Sequence, residues 1–150
     1  MMGKEPPEPT NPIGTIVIGT LEPDLMTTAK EMVRKALKSA QFKVIDVGRG
    51  ATPQSFASKA KETNADMIVI SILLSAAKNN LPNVVSALER EGIKDKIVIM
   101  IGGTAVTKED ADKIGAQYGK TKDDAVAMAK NVMNKKQNII TINFGFGFKI

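Results

Sequence analysis

Ile13-Gly14-Thr15-Ile16-Val17-Ile18 runs directly into Gly19-Thr20-Leu21-Glu22-Pro23-Asp24-Leu25-Met26-Thr27-Thr28-Ala29-Lys30. The first segment is rich in β-branched apolar residues and lacks a polar alternation. That is the pattern of a strand covered on both faces, and hence of a parallel sheet. The second segment opens with glycine, carries proline and aspartate, and leads into an amphipathic helical pattern over Leu25–Ala40. A strand that turns in this way into a helix is the βα unit of an open α/β sheet. In such sheets ligands bind outside the carboxyl ends of the strands.

The same alternation continues along the chain. Apolar runs at Lys43–Val47, Met67–Ile70 and Ile97–Ile101, and a weaker one at Ala116–Tyr118, predict further strands. Helical patterns fall at Pro53–Thr63, Leu81–Glu91, Lys108–Ile114 and Lys122–Asn134. Thr52 precedes Pro53, a cap residue before a proline at the first helical position. Thr107 precedes Lys108-Glu109-Asp110 and so puts acids in a first turn, while Gly92 and Gly115 follow helices where a left-handed residue is wanted. The fold class predicted is α/β: a doubly wound, five-stranded parallel sheet, flavodoxin-like (Rossmann-like), in strand order 2-1-3-4-5.

Composition bounds the function. The chain has 150 residues, 43% of them hydrophobic and 25% charged, which suits one domain with a proper core. No apolar run has the length of a membrane span, and the N-terminus lacks a signal peptide's apolar stretch, so a cytoplasmic protein is expected. Cysteine and histidine are both absent, which excludes disulfides, thiolate nucleophiles and the common zinc sites. The net charge of +5 raises nucleic-acid binding, but aromatics are only 4% of the chain and stacking platforms need them. Lys30, Lys35, Lys38, Lys59 and Lys61 read instead as solvated helix faces.

Three segments follow. Residues 1–12 hold four of the seven prolines and read as a disordered leader. Residues 13–136 form the domain. In the tail, residues 137–150, Ile139–Ile142 offers an extra edge strand. Phe144, Phe146 and Phe148 alternate with Gly145 and Gly147, so a strand there would set three rings on one face. Such a tail either packs on its own domain or docks a partner or another copy of the chain.

In the expected strand order, four short loops meet at one crevice: Gly19–Met26, Ser71–Ala77, Gly102-Gly103-Thr104 and Tyr118-Gly119-Lys120-Thr121. Glycine pairs allow close backbone approach and helix N-termini offer amides, so a phosphate-bearing ligand fits; a tight βα turn alone would also account for Gly102 and Gly103. Gly19-Thr20-Leu21 is neither a Gly-x-Gly-x-x-Gly fingerprint nor a P-loop. Ser71 stands where a phospho-acceptor receiver would carry aspartate, and no aromatics flank the loops to favour flavin.

Taken together, the four loops resemble the cobalamin-binding domain of corrinoid methyl-carrier proteins, from about Ile13 to Met133. The first loop of that family reads Asp-x-His-x-x-Gly; here the positions hold Asp24, Met26 and Ala29. Ser71-Ile72-Leu73 keeps the Ser-x-Leu signature, Gly102-Gly103 the glycine pair, and Tyr118-Gly119 the late turn. The resemblance implies cobalamin bound across the sheet edge, its nucleotide tail in a slot between strands 1 and 3 near Ser71, Leu73, Gly102 and Gly103, with Asp24, Met26, Tyr118 and Gly119 also at the cofactor. It further implies a histidine ligand to cobalt, held by the aspartate and linked to a hydroxyl. Met26 and Ala77 occupy those ligand and hydroxyl positions, so both members of the relay are gone. No metal ligand and no catalytic residue is therefore assigned; a thioether is a poor ligand for cobalt(III), and Met26 reads as an apolar liner.

The expected function is a corrinoid-binding module of a methyltransferase system, holding cobalamin by its tail without a histidine ligand. It would serve a corrinoid-dependent methyltransferase or a reactivating partner, with self-association through the tail and no catalysis by the chain alone. The alternative is a degenerate relative that has lost cobalamin and binds a partner or another ligand. Residues 1–12 are also too short for the helical bundle that caps the cofactor in that family, so a cap would come from a partner.

Overall fold

The computed structural model describes the backbone of residues 3–149 and the side chains through residue 137. Five parallel strands, β1 (Thr15–Leu21), β2 (Lys43–Ala51), β3 (Met67–Ser71), β4 (Val98–Gly102) and β5 (Gln117–Tyr118), form one sheet in the order β2-β1-β3-β4-β5. Between and after them lie α1 (Thr28–Ser39), α2 (Pro53–Thr63), α3 (Ser75–Lys78), α4 (Leu81–Arg90), α5 (Lys108–Lys113) and α6 (Lys122–Lys149).

Side-chain alternation along the buried strands divides the core in two. Ile16, Ile18, Met67, Val69 and Met100 pack with Leu37 of α1 and with Ala125, Ala129 and Val132 of α6. Val17, Ile68, Ile70, Ile99 and Ile101 face the other way, onto Phe56 of α2, Val84 and Leu88 of α4, and Ala111 of α5. Helices on both faces explain why the strands read as continuous apolar runs.

The predicted punctuation is present. Thr52 Oγ1 accepts from the Ser55 N–H at the start of α2, and Thr107 forms a reciprocal capping box with Asp110 at α5. Gly92 and Gly115 take left-handed φ values of 74° and 69° after their helices. The four-residue α3 begins inside what reads as the Ser71–Ala77 loop and ends one residue past it; one helical turn is too short to carry a 3.6-residue pattern.

Three expectations are corrected. The leader is held rather than loose: the Glu5 carboxylate pairs with Arg34 and Lys38 of α1, Glu8 pairs with Lys38, and Lys35 Nζ donates to the Gly3 carbonyl. Lys30 and Lys38 are only 5% and 8% exposed, so they do not belong to a solvated face. The tail backbone continues α6 through Lys149 where an edge strand was expected, and the rings of Phe144, Phe146 and Phe148 lie outside the described side chains.

Candidate functional site

Parallel register brings the carboxyl ends of β1, β3 and β4 level: Thr20 faces Ser71, and Ser71 faces Gly102. Beyond them a cavity of about 730 Å³ opens between the sheet edge, α1 and the start of α6. Ser71, Leu73, Gly102, Gly103, Tyr118 and Gly119 all line it, together with Ala29 and Lys30 of α1. Six of the eight residues expected at the cofactor, from three of the four loops, thus meet around one space.

Ser71 dominates the polar character of the inner wall. Its side chain is 6% exposed, and its hydroxyl is the single buried side-chain polar atom without a hydrogen-bond partner among the described residues. Buried polar groups in native proteins are normally paired, so an orphan at a cavity wall marks a place where a ligand atom belongs. Ile18, Val69, Met100 and Val106 add apolar surface to the same wall.

The glycine pair shapes this wall by bringing backbones together. Gly103 has φ of 119°, and a Cβ there would run into the backbone of Ile72. A Cβ on Gly102 would meet the Gly119 carbonyl. Ile72 is gripped accordingly: its N–H donates to Gly102 O (2.8 Å), and its carbonyl accepts from the Ala105 N–H (3.2 Å). The glycines thus serve the contact between the β3 and β4 loops.

Asp24 and Met26 do not line the cavity. Asp24 is fully buried and does not cap α1, whose first residue follows Thr27 without a side-chain cap. Its Oδ1 accepts from the Met26 N–H (2.9 Å), and its Oδ2 from the N–H groups of Leu73 (2.6 Å) and Leu74 (3.1 Å). Thr20, not singled out by the sequence, ties the same loop from below: its hydroxyl donates to the Asp24 carbonyl and accepts from the Gly50 N–H, both at 2.8 Å. Asn80 adds a bond from its amide to the Glu22 carbonyl (2.9 Å).

Lys30 lines the cavity wall, although the sequence places it on a solvated helix face. Its ammonium bonds Asp46 (2.6 Å) and Glu31 (3.0 Å). Burial pulls its pKa down, but the bonds to those two carboxylates outweigh this and hold it above the ordinary lysine value. A lysine at helical spacing carries no mark of such burial; the complementary Asp46, 16 positions on, is the only trace of it in the sequence.

No donor set for a metal accompanies the cavity. Among the described residues there is no group of three or more acidic, histidine or cysteine side chains that could hold an ion. Met26 is 45% exposed, and Ala77, at the expected hydroxyl position, is wholly buried in the core. The cavity and its unpaired hydroxyl fit a corrinoid's nucleotide tail; the side chains do not fit protein ligation of cobalt.

Comparison with known proteins agrees with this geometry. The B12 binding domain family matches residues 14–129. The dimethylamine corrinoid protein of Methanosarcina barkeri is 43% identical over 122 residues, which cover 81% of this chain and 57% of that protein. Dimethylamine corrinoid protein 3 of Methanosarcina mazei is 42% identical over 122 residues, 81% of this chain and 73% of that protein. A cobalamin-binding protein of Desulfitobacterium hafniense DCB-2 superposes with a TM-score of 0.74 at 28% identity, covering 79% of this chain and 58% of that one. The chain spans little more than half the length of several of these relatives. With the family matched over most of its length and the sheet, loops and cavity in place, the chain belongs to the B12-binding domain family.

Proposed function

We propose that this chain is the corrinoid-binding module of a methyltransferase system, holding cobalamin by its nucleotide tail with no protein ligand to cobalt. The observation that carries the reading is the unpartnered Ser71 hydroxyl in the wall of a 730 Å³ cavity. Ser71 would hydrogen-bond the tail, and Leu73, Tyr118 and the loops fixed by Gly102, Gly103 and Gly119 would enclose it. When bound, the corrinoid's cobalt carries the methyl group, and the protein contributes position and surroundings.

The relatives named as dimethylamine corrinoid proteins support the corrinoid. A methyltransferase as partner, and a reactivating protein as a further one, belong to the same proposal. A cytoplasmic location belongs to the same reading; no helix among the described residues is long and apolar enough to cross a membrane. The retained cavity and the identity to corrinoid proteins weigh against the alternative of a relative that has lost its cofactor.

The test is a visible absorption titration with hydroxocobalamin and methylcobalamin, followed by gel filtration to remove free cofactor. A retained corrin spectrum is expected. Met26→Ala should leave the band positions of the bound cofactor unchanged, whereas a shift would make the thioether a ligand. A colourless, folded protein would overturn the reading.

A further inference from the structure

The Asp24 carboxylate, fully buried yet outside the cavity, has both oxygens occupied by main-chain N–H groups from two loops. A further bond, from the Asn80 amide to the Glu22 carbonyl (2.9 Å), joins the same two stretches of chain away from these tips. Met26 follows β1, and Leu73-Leu74 follows β3, 49 and 50 positions further along than Asp24. The carboxylate therefore sets the tip of one loop against the tip of the other, beside the mouth of the cavity.

What these tips present is apolar. Five large hydrophobic side chains stand exposed among the described residues: Ile13, Leu25, Met26, Met32 and Leu74. All but Ile13 belong to this edge of the sheet. Leu25 and Met26 flank the latched turn, Leu74 donates its own N–H to the latch, and Met32 lines the cavity from α1. Isolated exposed apolar residues need no explanation, but four at one ligand edge, three of them on latched backbone, do. Their continuity with the cavity, through Leu73 and Met32, means that one ligand can reach both.

Resting on the proposed function, we propose that Asp24 is a positioning residue that latches the two loops so that Leu25, Met26 and Leu74 form a preformed apolar rim for the corrin ring. The rim takes up the macrocycle by contact, in place of a bond to its metal, while the cavity takes the tail. A seat fixed before binding avoids the ordering cost of closing two loose loops around a ligand.

The experiment separates ring from tail by titrating the full chain with dicyanocobinamide, which carries the ring but no nucleotide, and in parallel with hydroxocobalamin. Wild-type protein is expected to bind both. The double variant Met26→Ser, Leu74→Ser alters only exposed side chains and should weaken both by about tenfold or more with an unchanged melting midpoint. Asp24→Asn, which replaces one accepting oxygen by a donor, should weaken both similarly. It should also raise hydrogen exchange at the amides of Met26, Leu73 and Leu74, with the sheet amides still protected.

Cobalamin bound tightly but cobinamide not at all would overturn the rim and leave the proposed function standing. Unchanged affinities in the serine double variant would do the same, whatever becomes of the Asn variant. Undiminished binding by Asp24→Asn would overturn the latch. Binding of neither ligand by the wild type would overturn both proposals.

Discussion

Gly103 and Ser71 lie on neighbouring loops and respond to substitution in opposite ways. A valine at Gly103 would do more than plug the tail slot, because the added Cβ meets the Ile72 backbone at a φ of 119°. Gly103→Val is expected to cost about 3 kcal/mol or more of stability, measured by denaturant unfolding. Ser71→Ala removes an unpaired buried hydroxyl. The cofactor-free protein should gain about 1 kcal/mol in the same measurement, while cobalamin affinity falls roughly tenfold. A loss of both would mean that the hydroxyl is already satisfied in the free protein. For blocking the cavity, Ala29→Phe is the better probe. Ala29 is only half-buried and lines the cavity, so cobalamin binding should disappear with stability kept to within about 1 kcal/mol. That Ser71, Leu73 and the glycine pair share one edge was legible, because each ends or follows an apolar strand run of a parallel sheet. The role of Asp24 was not, because its partners are main-chain amides some 50 positions away, and every residue but proline carries one.

At the level of elements, periodicity located strands and helices well wherever they exceed one turn, and missed α3, which does not. It also misread both ends of the chain. Proline content suggested a loose leader, but Glu5 finds Arg34 and Lys38 on one side of α1, partners that lie 29 and 33 positions further along the chain. The Phe/Gly alternation of the tail has the period of a strand, yet α6 starts from a reciprocal bond between Thr121 and Asp124 and propagates through Lys149. The leader carries a pH test. Hydrogen bonds from Arg34, then Lys38, hold the Glu5 carboxyl at about 2, below its ordinary 4.5. The folded value is the lower one, so the leader's attachment is complete above pH 4.5 and is lost as pH falls towards 2. Hydrogen exchange over residues 3–12 should rise through that interval. In Glu5→Gln the leader should exchange at the faster level throughout; an unaltered profile would show that Glu5 does not hold it.

Across the whole molecule, the fold and family were readable because they rest on repeated patterns: five βα units, and four loops that converge only if the strands run in the observed order. Composition alone misled where charge was concerned. A net charge of +5 says nothing of where charges sit, and Lys30 is held between Asp46 and Glu31 in the cavity wall. Lys120 and Lys122, at the same cavity, stand exposed. This difference gives the protein an internal chemical footprint. An amine-reactive acylating reagent attacks only unprotonated amines that it can reach, so it should modify Lys120 and Lys122 readily and leave Lys30 untouched. Occupancy of the cavity would then be recorded as slower labelling at two lysines against a third that never reacts, read peptide by peptide in a mass spectrometer without any chromophore.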